Sequence, residues 1–117
     1  MVTPQKHEWV EEYPGGITVC DSTGVILELN NSAAETLRAQ GGKKLIGSNL
    51  MDCHPEPARS KLKRMMRYRQ TNVYTIKKGR TRKIILQTPW YRNRKYRGFV
   101  EVSLPISGKI PNVVRRP

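Results

Sequence analysis

Acidic residues almost vanish from one half of this chain. Of nine Asp and Glu among 117 residues, only Glu101 lies beyond residue 58. Chemistry that sets two carboxylates to opposed acid and base roles has little to work with there. Cysteine is nearly missing too. Cys20 and Cys53 are the only two, too few for a disulfide framework and not spaced as C-x-x-C, so both are expected as small buried hydrophobes. The adjacent pair Cys53-His54 does not match the two-to-four-residue ligand spacing usual for zinc, so no metal site is expected. No apolar run approaches the roughly 18–20 residues that span a membrane. The opening MVTPQKHEWVEEYPGG carries acids where an export signal would be apolar. These absences point to a cytoplasmic protein. Catalytic signatures are lacking as well: no Gly-rich phosphate loop, no G-x-S-x-G and no H-E-x-x-H. Chain neighbours such as Cys53 and His54 point apart, which makes a poor nucleophile–base pair. No enzymatic activity is expected.

What the chain does have is positive charge, unevenly placed. Residues 1–58 hold four bases and eight acids, a net of −4, whereas residues 59–117 hold eighteen bases and one acid, a net of +17. The total is +13. Such asymmetry suits an anionic partner, be it nucleic acid, a membrane surface or an acidic protein, although a solvated surface is the more ordinary reading. The length allows one domain with a modest core.

Patterning divides the chain into three parts: a lead-in (1–14), a domain (15–106) and an extended tail (107–117). His7 to Tyr13 suggests a short helix with Trp9, Val10 and Tyr13 on one side, stopped by Pro14-Gly15-Gly16. Ile17 to Cys20 and Val25 to Leu29 are strand-like and joined by Asp21-Ser-Thr-Gly24, which reads as a hairpin. Ser32 and Glu35 fit a capping box before a helix over Ala33–Gln40, ended by Gly41-Gly42. After Pro55-Glu56-Pro57, Ala58, Leu62, Met65 and Met66 recur at helical spacing, and Arg and Lys cover the other sides. Three strands follow, over residues 72–76, 81–91 and 96–106. Such closely spaced strands form an antiparallel meander, and the helices are its available cover. The expected class is α+β.

With these elements in order, the sequence resembles a PAS domain over residues 8–106. The matching pieces are Ile17-Thr-Val-Cys-Asp-Ser-Thr-Gly-Val-Ile, Asn30-Asn31-Ser32-Ala33-Ala34, Leu45-Ile46-Gly47, Thr88-Pro89 and Gly98-Phe99-Val100. It is most similar to small stand-alone sensor PAS proteins of anaerobic bacteria and archaea, in which a Cys-His-Pro also opens the long helix. The resemblance implies a five-stranded antiparallel sheet in the order 2-1-5-4-3, helices over one face, and a small cavity between them. It also implies a sensory module that binds a small ligand or cofactor and signals through association.

The ligand is left open by the sequence. Flavin-binding members resemble Gly-x-Asn-Cys at the thiol-bearing helix; here Gly47-Ser48-Asn49-Leu50 replaces that cysteine, and Cys53 comes about one turn late. Haem-binding members resemble Pro55-Glu56-Pro57 followed by Arg67-Tyr68-Arg69, yet their histidine position falls near Leu62. A haem would therefore need His54 or Cys53 as its axial ligand. For an organic ligand, Leu50, Met51, Leu62, Met65 and Met66 would line one wall, and Tyr74, Leu86, Gln87 and Trp90 the other. Gln87 interrupts the apolar run Ile84-Ile85-Leu86, and its direction, into the cavity or away, decides whether it orients a ligand.

The alternative function is nucleic-acid binding through the basic half. Aromatics interleave with cations in Trp90-Tyr-Arg-Asn-Arg-Lys-Tyr-Arg97, a pattern suited to single strands. Trp9, Val10 and Tyr13, or the open sheet face, are the expected contacts of a homodimer.

Overall fold

A computed structural model describes residues 8–117; His7, the expected first residue of the lead-in helix, lies outside them. The elements in chain order are α1 (Glu8–Glu11), β1 (Gly16–Asp21), β2 (Ile26–Leu29), α2 (Asn31–Thr36), α3 (Leu50–Cys53), α4 (Ala58–Tyr68), β3 (Asn72–Lys78), β4 (Thr81–Arg92) and β5 (Lys95–Ile106). The five strands form one sheet in the order β2-β1-β5-β4-β3, with every pairing antiparallel.

The first hairpin turns on Asp21. Its carboxylate accepts from the backbone N–H of Thr23 and of Val25 and from the Thr23 hydroxyl. These bonds hold its pKa below the usual carboxylate value, against a desolvation effect that is the largest single influence and acts the other way. Val25 makes only an isolated bridge to Asn49, so β2 begins one residue later than its pattern suggests.

The expected capping box is not formed. Asn30 is the N-cap of α2, its side chain accepting from the N–H of Ala33. The Ser32 carbonyl instead accepts from the Thr36 hydroxyl, and Glu35 pairs with Arg38 on the surface. The helix expected to run to Gln40 breaks after Thr36 into a separate 3-10 turn over Arg38–Gln40.

Strand alternation puts Thr18, Cys20, Ile85, Gln87, Phe99 and Glu101 on the face that the helices cover. Helix α4 buries Met65 and Met66 against Cys20 and Phe99, with Leu50, Met51, Leu62 and Tyr96 around them. A second cluster joins Ile26, Leu29 and Ala33 to Leu37, Leu45 and Leu50. Burying side chains of this size contributes about 1.5–3 kcal/mol each. Ala58, read as part of the α4 stripe, is exposed because it sits at the helix's first residue, short of the sheet. Cys20 is buried as expected. Cys53 is exposed instead, since it closes the single turn of α3 on the solvent side.

Candidate functional site

Between the covered sheet face and the helices lies a cavity of about 160 Å³. Helix α3 brings Leu50, the residue after it brings His54, α4 brings Leu62 and Met65, and β4 brings Gln87. Five of the residues singled out from the sequence therefore meet in one place. Ile26, Leu37, Cys20, Phe99 and Val100 complete the apolar lining.

The polar lining follows from strand register. Asn72 pairs with Gln87, Gln87 with Glu101, and Glu101 with Thr18. One row of four polar side chains thus crosses β3, β4, β5 and β1 on the covered face. Asn72 donates its amide to the Gln87 oxygen at 3.1 Å, and Gln87 donates its own to Glu101 at 2.8 Å. The orientation follows from chemistry, since a carboxylate can only accept and so turns the Gln87 NH2 toward itself. That answers the question of direction: Gln87 faces the cavity.

Glu101 is the one acid of the basic half, and it lines this cavity. Among the described residues no lysine or arginine pairs with it; the ion pairs are Arg38–Glu35 and Lys43–Glu11. Its charge is felt nearby: the Tyr74 phenol is pushed above its ordinary pKa, by burial first and by Glu101 second. Burial likewise pushes the Cys20 thiol up, which keeps it protonated and unreactive. The His54 ring hydrogen-bonds through Nδ1 to the Leu50 carbonyl at 2.7 Å. Because a carbonyl only accepts, Nδ1 carries a proton, and in the neutral ring Nε2 is the acceptor.

The remaining expected residues lie elsewhere. Met51 and Met66 line a separate cleft with Ser22, Lys63, Arg67, Arg69 and Tyr96. In that cleft the Arg69 guanidinium sits 4.8 Å above the Tyr96 ring, and the buried Tyr96 hydroxyl has no hydrogen-bond partner among the described residues. Tyr74 lines a shallow hollow beside Glu101. Leu86, expected in the wall, is on the opposite face, as its odd-numbered neighbours Ile85 and Gln87 require. Trp90 pairs opposite Gly98 and donates its indole N–H to the Cys20 carbonyl at 2.9 Å, outside the cavity. Cys53 does not reach the cavity either. Thr18, Cys20, Phe99 and Glu101 were missed by sequence reasoning, although alternation along β1 and β5 carried the signal for all four.

A cavity near 150 Å³ takes a single benzene ring. A tetrapyrrole or a flavin does not fit one of 160 Å³, so neither cofactor enters the account of this site.

The model of a family described as PAS fold matches residues 10–70. Among solved structures, the dual PAS-haem oxygen sensor Aer2 receptor of Vibrio cholerae is 20% identical with a TM-score of 0.55, over 80% of this chain and 95% of that one. The PAS domain of an HTR-like protein from Haloarcula marismortui is 15% identical with a TM-score of 0.59, over 84% and 86%. A C-terminal domain from Streptococcus mutans is 16% identical with a TM-score of 0.67, over 81% and 78%. At these identities the likeness is one of fold. No curated protein matches the sequence.

Proposed function

The chain belongs to the PAS-fold family, and on that footing we propose that residues 15–106 act as a sensory module that binds a small molecule between sheet and helices. The observation that carries this reading is the polar row Thr18–Glu101–Gln87 lining an otherwise apolar cavity. Pockets of that make-up, apolar with a few convergent polar groups, are how small ligands are held and oriented. The module has no catalytic part. Its output passes through association, with the lead-in and the open sheet face as the surfaces that would meet a second copy.

The lead-in is anchored to the fold through Asn30. Val10 is buried, and its carbonyl accepts from the Asn30 side chain. Trp9 stands out at 67% exposure, edge-on to Tyr13 at 6.0 Å. Residues 107–117 follow as an extended tail. Both thiols are unpaired, as suits a reducing compartment such as the cytoplasm. Among the described residues no helix is long and apolar enough to cross a membrane.

The test is thermal unfolding against a set of single-ring compounds. Ligands that bind the folded state raise the midpoint in proportion to occupancy. The expected result is a rise for the wild type and none for Leu62→Trp, whose indole fills the cavity from α4. Identical responses from the two proteins would place binding outside the cavity and overturn the reading.

A further inference from the structure

We infer that the cavity takes a single-ring molecule bearing a protonated nitrogen, an amine or amidine, with Glu101 as its counter-charge; the inference rests on the cavity being the ligand site. Three observations carry it. The first is a pairing anomaly. Glu101 sits partly buried in a half of the chain that holds eighteen bases, yet among the described residues none forms an ion pair with it. A half-buried carboxylate without a counter-cation is a ready partner for a cationic group that enters beside it. On this chain the cations stand outside and the acid inside.

The second observation is how Glu101 is held. Among the described residues its only side-chain partner is Gln87, whose amide is fixed in turn by Asn72. Gln87 approaches Oε1, which leaves Oε2 to accept from whatever enters. Neutral donors of this kind orient a carboxylate without cancelling its charge, so its pull on a cation is kept.

The third is the balance of donors and acceptors. Besides the carboxylate, the His54 ring, when neutral, offers an acceptor, because the Leu50 carbonyl engages the Nδ1 proton. Thr18 adds a hydroxyl that can do either. A ligand rich in donors complements this set, and an anion is repelled by it. The apolar remainder, Ile26, Leu37, Leu62 and Phe99, suits a ring. Size sets the limit: about 160 Å³ holds one ring and a short substituent.

The experiment is calorimetric titration of the wild type and Glu101→Gln with benzylamine and with toluene. Both proteins are expected to bind toluene alike, which also shows that the variant keeps its cavity. Benzylamine is expected to bind the wild type more tightly than toluene does, and to lose about tenfold or more in affinity on Glu101→Gln. Toluene binding with no preference for the amine, or amine binding unchanged in the variant, would overturn the charge assignment while leaving the cavity as a ligand site. Failure of both probes to bind either protein would overturn the cavity reading and this inference with it.

Discussion

The side chain of Asn30 is 1% exposed and makes four hydrogen bonds to backbone groups far apart in sequence. Its oxygen accepts from the N–H of Ile17 and of Ala33, and its NH2 donates to the carbonyls of Val10 and Gly15. One amide therefore joins the lead-in, the start of β1 and the first turn of α2. No other side chain type does this. Aspartate keeps the two accepted bonds and sets a charge against two carbonyls, and serine is too short to reach both ways. Asn30→Ala strands two buried N–H groups and two buried carbonyls, each costing about 1–3 kcal/mol, relieved in part by relaxation and water. The expected loss is about 2–4 kcal/mol in urea unfolding; a loss under about 0.5 kcal/mol, the level of an ordinary surface change, would show the hub to be dispensable. Gly98 is bound as tightly by geometry. It has φ 151°, and a Cβ there would lie 1.9 Å from the Cys20 carbonyl oxygen. Only glycine lets β5 come this close to β1.

At the scale of elements, what was legible in the sequence depended on which force set each boundary. Helix α4 showed itself through Leu62, Met65 and Met66, because packing a stripe against the sheet is what keeps it helical. The meander was equally plain. What escaped was decided by long-range geometry. Ser32 and Glu35 matched a cap by spacing, yet Asn30 won because it also binds Val10 and Gly15 across the fold. Leu86 was misplaced because a run of apolar residues hides the parity of a strand; the register of Gln87 against Glu101 settles it. The second hairpin shows the same limit. Its turn is Asn93-Arg94, with φ of 51° and 65°, the arrangement of a type I′ turn, for which Asn-Gly is the favoured pair. Arginine at a left-handed position is strained. Arg94→Gly is expected to raise stability by about 0.5–1 kcal/mol in urea unfolding. No gain, or a loss, would mean that the Arg94 side chain makes a contact that offsets its backbone strain.

For the molecule as a whole the question is what the segregated charge does. The nucleic-acid alternative relied on the aromatics of Trp90-Tyr-Arg-Asn-Arg-Lys-Tyr-Arg97 as stacking platforms. Two of the three are committed to the fold. The Trp90 indole is engaged with the Cys20 carbonyl, and Tyr96 packs edge-on against Phe99 at 6.3 Å with Arg69 over its other side. Only Tyr91, at 52% exposure, is open to a base. The cations of α4, by contrast, all face solvent: Arg59, Lys61, Lys63, Arg64 and Arg67. The one aromatic on that helix, Tyr68, is exposed but lies under the Arg67 guanidinium at 5.6 Å, so the surface offers phosphates many charges and bases few free stacking faces. Fluorescence anisotropy with labelled single-stranded oligonucleotides is therefore expected to show weak association at low salt, with no preference among sequences. That association should fall by about tenfold or more between roughly 50 and 200 mM salt. Trp90→Ala should leave it unchanged while lowering stability by about 2–4 kcal/mol, the cost of a large side chain removed from a packed setting. A sequence-selective complex that survives physiological salt and is lost in Trp90→Ala would reverse the assignment, making the basic half the working surface and the cavity secondary to it.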